Sequence, residues 1–305
     1  IEVPNSLKTF LFLVGLSKIL LMNVIAHVPF VQNFMYNYIF GGNLKKNPKS
    51  FVLFVKRLMP RWVNSIPDSE CLAIFEILNK MRLKKKKPLI IVETGCGAST
   101  VAMIIHCCIY GGKVFSWDIN QSRGSFLRNL FSETIGLHYK KDINKIWNFI
   151  GFDSVDKNIG IAVLKELKQK ADFGFFDSLH TTDHVKKELN EFLKISSGSF
   201  VAAFDDAYID KKHTNTGYIN VMRMKLSLKR IKDPKNNKSG TIWKEAYKLL
   251  KKNYKRVKKV NTSFNKNLKK DIYFDYFSPD RNIGLKADME NDSKRAETFV
   301  AYKVN

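Results

Sequence analysis

Apolar positions between residues 88 and 205 fall into short continuous runs separated by stretches of helical spacing. Pro88 introduces Leu89–Val92, an unbroken apolar run of the kind found in strands buried on both faces of a parallel sheet. From there the pattern predicts strand 89–94, helix 99–109, strand 113–118, helix 122–134, a short strand 137–141, helix 157–170, strand 172–177, helix 181–194 and strand 199–205. Five strands separated by helices indicate an α/β fold with a doubly wound, Rossmann-like sheet and helices on both faces.

The flanks extend this plan. Residues 50–83 read as helices, with Ser69 or Asp68 as a cap and Cys71, Ile74, Phe75 and Leu78 at helical spacing. Downstream come a helical pattern near 219–231, a Lys- and Asn-rich loop at 232–240, a helix over 241–253 and closing strands of which 271–277 and 298–304 are the clearest. The expected sheet therefore has about seven strands. The chain divides into an apolar helical segment at 1–43, a helical lead-in at 44–87 and the main α/β domain at 88–305.

Residues 7–40 are strongly apolar. Phe10–Phe30 has the length of a membrane span, but Lys18 lies near its middle, where a charge costs about 3 kcal/mol, and Pro29 ends the pattern. A helical segment lying on a membrane surface is the first expectation; a true span, packing against the core and a signal peptide are the alternatives.

Charge adds a question. The 52 Lys and Arg against 28 Asp and Glu give +24, a field that favours polyanions if concentrated on one face. A solvated lysine-rich surface is the simpler reading, since the clusters at 84–87 and 244–259 fall on element edges and helix faces. The four cysteines form no CxxC pair and sit near no His at zinc-ligand spacing, so reduced structural thiols are expected. The expected location is cytoplasmic, with membrane association through residues 7–40.

Candidate chemistry starts at the first strand, where LIIVETGCGAST carries Gly95 and Gly97 in the turn before a helix. Glycines there let backbone approach a ligand, and the helix N-terminus offers N–H groups. Thr100 stands where a dinucleotide fingerprint needs its third glycine, and Glu93 precedes the first. A carboxylate would repel a pyrophosphate but suits a ligand carrying sulfonium and ammonium groups. The E-x-G-x-G-x-S/T pattern, with Ser99 as its last member, resembles motif I of class I S-adenosylmethionine-dependent methyltransferases. Asp118, ending the second strand, is placed to accept hydrogen bonds from both ribose hydroxyls. In that family the loop after the third strand faces the adenine, a place the resemblance assigns to Asp142.

Asp177 and His180 follow the fourth strand in ADFGFFDSLH, and Asp205 and Asp206 follow the fifth in SFVAAFDDAY. Carboxyl ends of neighbouring strands share one crevice. Three carboxylates there repel one another unless a cation is present, and oxygen ligands favour Mg²⁺. The D-x-x-H and D-D-x-Y pairing over residues 88–208 resembles metal-dependent O-methyltransferases that act on sugars and related small molecules. This implies Asp177, Asp205 and Asp206 as metal ligands and His180 as the general base, with Asp177 supporting catalysis. Ser178 stands where those families have glycine, implying a differently shaped loop. Helix or turn capping by Asp177 and Asp206, with His180 packed in the loop, is the competing reading.

His184, one turn after His180, gives only a weak zinc signal without an HExxH glutamate. Tyr208, Tyr218, Asn220 and Arg223 are candidate lid residues. The expected activity is methyl transfer from S-adenosylmethionine to a hydroxylated small molecule or saccharide, assisted by Mg²⁺. An RNA methyltransferase, with the net charge contacting phosphates, and a non-catalytic membrane-associated binding protein are the alternatives.

Overall fold

The computed structural model describes residues 47–60, 62–64, 66, 68–205, 207, 242–260 and 299–305. The expectations for residues 7–40, 219–231 and 271–277 lie outside them. Among the described residues no helix is long and apolar enough to cross a membrane.

The lead-in is two helices. Asn47 accepts a hydrogen bond from the Ser50 amide and Pro48 occupies the first turn, so α1 runs Pro48–Leu58. Helix α2, Asp68–Lys85, opens on Asp68 and Glu70 and closes on Arg82, Lys84 and Lys85, charges that suit the helix dipole at each end. The connection is pinned from inside. Lys56, 1% exposed, ion-pairs with Asp68 at 3.0 Å and donates to the side chain of Asn64 at 2.7 Å.

The main domain continues β1 (Leu89–Thr94), α3 (Ala98–Tyr110), β2 (Gly112–Trp117), α4 (Gln121–Phe131), β3 (Trp147–Ile150), α5 (Val163–Glu166), β4 (Ala171–Phe176), α6 (Thr182–Ile195), β5 (Ser196–Phe204), α7 (Ile242–Asn253), β6 (Val257–Lys259) and β7 (Val300–Val304). The seven-stranded sheet has the order β3-β2-β1-β4-β5-β7-β6. β1 to β5 are parallel neighbours, and β7 runs antiparallel between β5 and β6.

Both faces are covered. One buries Phe51, Phe75, Ile104, Phe131 and Phe173 with α1 to α4; the other buries Trp117, Leu164, Phe176, Leu189 and Leu250 with α5, α6 and α7. Strand order reverses between β1 and β4, the switch point at which doubly wound sheets open a crevice beyond their carboxyl ends.

Three expectations are corrected. Residues 137–141 are not a strand: α4 continues through a π-turn at Ser132–Gly136 into one helical turn, Leu137–Tyr139, stopped by Lys140 at φ +52°. The third strand is Trp147–Ile150, where Trp147 is fully buried and Ile150 accepts from the Asp118 amide. Asp142 therefore precedes the third strand instead of following it. It is exposed and caps the short turn Ile143–Lys145 by accepting from the Asn144 amide at 3.0 Å. Ile146, four residues on, accepts from Val114 near the start of β2, so Asp142 lies at the sheet's amino edge, away from the crevice beyond the carboxyl ends.

The helix expected over 157–170 shrinks to Val163–Glu166. Asp156 accepts from the amides of Asn158 and Ile159, closing turns that compete with helix.

Candidate active site

The glycine turn between β1 and α3 is built by contact as much as by sequence. Gly95 adopts φ +77°, and a Cβ there would stand 1.9 Å from the carbonyl oxygen of Asp177. Gly97 caps α3 against the carbonyl of Val63, which a Cβ would approach to 2.8 Å. The lead-in thus closes over the turn. On the sheet side, the Gly95 amide donates to Trp117 and the Asp177 amide to Thr94, locking the ends of β2, β1 and β4 together.

Glu93 sits beneath the turn with no exposed surface. Its carboxylate accepts from the hydroxyls of Ser99 at 2.5 Å, Thr100 at 2.8 Å and Ser116 at 2.6 Å. Burial pushes its pKa up to about 7 against the pull of these three donors. Glu93 and Ser99 fasten the first turn of α3 to two strands.

Asp118 ends β2 almost buried. One oxygen accepts from the Asn120 amide at 2.8 Å; the other accepts from the Cys96 amide at 3.2 Å and the Arg123 guanidinium at 2.9 Å. Arg123 also donates to the Trp62 carbonyl at 3.4 Å. Its one sequence signal was its place in the first turn of α4, on the same sheet edge as Asp118.

Beyond β4 and β5, Asp177, His180 and Asp205 gather so that one ligand atom of each lies within 4.8 Å of the others. The Asp205 amide donates to Phe176, holding the two strand ends in step. His180 has φ +50°, a left-handed conformation uncommon outside glycine and found at functional turns. Its Nε2 lies 2.6 Å from Asp177 Oδ1, which fixes the ring. Asp206, Tyr208, Tyr218, Asn220 and Arg223 lie outside the described residues.

A second polar knot supports this loop. Glu188, fully buried on α6, accepts from Ser178 at 2.7 Å and Ser154 at 2.5 Å and pairs with His184 at 3.2 Å. The hydrogen bond to Glu188 raises the His184 pKa. Ser178, where a glycine was expected, is thereby tied to α6 and to the segment after β3. The four cysteines are buried and free of disulfides, and burial pushes the Cys96 thiol far up, which disfavours its thiolate.

Residues 92–207 match the model of a family described as a methyltransferase domain, from β1 to just past β5. Among solved structures, the chain is similar to an O-methyltransferase from Bacillus cereus in complex with SAH, at 12% identity and a TM-score of 0.44, over 92% of this chain and 100% of that one. It is similar to CalS11, a TDP-rhamnose 3'-O-methyltransferase of calicheamicin biosynthesis, at 13% identity and a TM-score of 0.38, over 54% and 78%. MycE, a methyltransferase of the mycinamycin pathway in complex with Mg and SAH, is similar at 12% identity and a TM-score of 0.31, over 44% and 34%. No curated protein matches.

Proposed function

We propose, on the premise of a methyltransferase domain over residues 92–207, that the chain transfers the methyl group of S-adenosylmethionine to a hydroxyl oxygen of a small molecule or saccharide. The observation that carries this reading is the gathering of Asp177, His180 and Asp205 within 4.8 Å beside the Gly95 turn. An oxygen nucleophile needs deprotonation and orientation toward the methyl carbon, and these groups offer both.

In this reading Gly95 and Gly97 let the cofactor approach backbone, and Asp118 binds its ribose. Glu93 and Ser99 hold the turn in shape. The acceptor oxygen bonds to the methyl carbon as the carbon–sulfur bond breaks, and its proton passes to His180, whose imidazolium the neighbouring Asp177 stabilises. Positioning and exclusion of water supply much of the rate.

The carboxylates of Asp177 and Asp205 stand close enough, beside His180, to share a hard divalent cation. Its ligand atoms stand roughly 3–4 Å apart at bond lengths of about 2.1 Å, so the set has to close only slightly. Asp177 and Asp205 would hold it, with Asp206 a third candidate; Mg²⁺ there would lower the pKa of a bound acceptor hydroxyl.

The test is calorimetric titration of the full chain with S-adenosylhomocysteine, followed by assay of methyl transfer to a panel of sugars, catechols and other hydroxylated acceptors. Saturable binding, weakened about tenfold or more by Asp118→Ala, and transfer to an acceptor oxygen are expected. Absence of binding would sink the reading.

A further inference from the structure

The last two turns of α2 lie beside the first residues of β5 and the end of β7, and a cavity of about 590 Å³ opens between them. It falls within the size range of small-ligand sites. It begins at Ser199, six residues before Asp205, and at about 3.3 Å per residue stands about 20 Å from the crevice.

Ile77, Met81, Phe200, Val201 and Val260 line it with apolar surface. The charged residues around it are Lys80, Lys84, Lys85, Arg256 and Lys303, and no Asp or Glu lines it among the described residues. Two of these cations are already engaged: Lys80 pairs with Glu76 at 2.6 Å, and Lys85 with Asp172 at 2.5 Å. Lys84 donates to the amide oxygen of Asn305 at 3.4 Å and lies against Lys303, and none of Lys84, Arg256 and Lys303 has a carboxylate within ion-pair distance among the described residues. The nearby Lys84, burial and Lys258 together hold the Lys303 ammonium below the usual lysine range. Crowded like charges without a counter-ion favour an anion at that point, and three cations suit a dianionic phosphate.

We propose that this cavity is a second binding site, taking a single-chain amphiphile with its alkyl chain against Ile77, Met81 and Phe200 and its phosphomonoester head on Lys84, Arg256 and Lys303. Apolar wall and cationic mouth each match one end of such a molecule. The site stands apart from the methyl-transfer crevice and does not depend on the activity proposed above.

The probe is dodecyl phosphate below its micelle concentration, titrated calorimetrically into the full chain. One molecule should bind per chain, about tenfold or more tighter than inorganic phosphate or dodecanol. Lys84→Glu combined with Lys303→Glu should weaken it about tenfold or more, while Lys165→Glu, at an exposed position of α5, leaves it unchanged. Arg256→Glu, at an exposed position, is the second variant should the double one fail to fold, with a loss of about threefold or more expected. Inorganic phosphate or dodecanol binding as tightly as dodecyl phosphate would overturn the proposal. So would unchanged binding in a folded variant, or binding to anionic phosphatidylglycerol vesicles with none to the monomeric amphiphile.

Discussion

Gly95 and Asp177 meet backbone to backbone: the glycine turn after β1 rests directly on the carbonyl of the residue that opens the acid loop of β4. The turn and the loop are therefore packed directly on each other, and a side chain at position 95 strains both.

Gly95→Ala should show this coupling. The substitution puts a methyl group 1.9 Å from a carbonyl oxygen at a φ of +77°, and a loss of about 2–4 kcal/mol is expected from the combined clash and strain. Urea unfolding would measure it, and titration with S-adenosylhomocysteine should show binding lost even where the variant remains folded.

Glu93 makes stability depend on pH. Its folded pKa of about 7 stands above the 4.5 of the free side chain. Its contribution is therefore full below about 4.5 and lost as pH rises through 7, by at most about 3 kcal/mol. Glu93→Gln removes this titration. Comparing denaturant midpoints at pH 5 and pH 8, wild type should lose more than the variant; equal losses would show that Glu93 stays ionised throughout.

His180→Ala and Asp177→Asn should separate chemistry from binding. In the proposed reaction each lowers the rate of methyl transfer by about 10²–10⁴ while leaving the affinity for S-adenosylhomocysteine within about twofold. Unaltered turnover in His180→Ala would remove the general-base role.

Chelation tests the cation. Activity should fall in EDTA and return on adding Mg²⁺, and Asp205→Asn should raise the Mg²⁺ concentration required. Full activity in chelator would leave Asp177 and Asp205 as a purely electrostatic pair.

Lys56→Ala withdraws the ammonium that lies 3.0 Å from buried Asp68. Removing one partner of a buried pair costs about 3–5 kcal/mol. Because this pair pins the connection whose Val63 carbonyl covers Gly97, the loss should appear both in urea unfolding and as weaker cofactor binding.

Much of this was legible in the chain. Leu89–Thr94, Gly112–Trp117 and Ala171–Phe176 are short runs, largely apolar and bounded by turn residues, which reads as strands buried on two faces. The strand ends then located Glu93, Asp118, Asp177 and Asp205 at one edge. The sequence points to a strand at 137–141, LHYKK, ahead of the four-residue WNFI of β3, because Leu137 and Tyr139 alternate as strand residues do; that segment packs instead as a helical turn with His138 and Tyr139 against Phe51. Asp142 was misplaced with it. β6 escaped notice because VKK is a polar edge strand with a single buried side chain. Arg123 and Glu188 were silent for another reason: their meaning lies in partners from other elements, Asp118 and Trp62 for one, Ser154 and Ser178 for the other, and local spacing does not report such contacts.

The position of β7 bears on how the molecule assembles. Residues 300–304 lie between β5 and β6 although both precede them in the chain, so Phe200–Phe204 has no neighbour on that side until this late segment arrives. Until then β5 presents a row of open amides and carbonyls, a template for pairing with other chains. Closure of the sheet is a long-range event, slow to find and exposed to aggregation while it waits. Removal of Val300–Val304 would therefore register first as insolubility, before any question of catalysis arose.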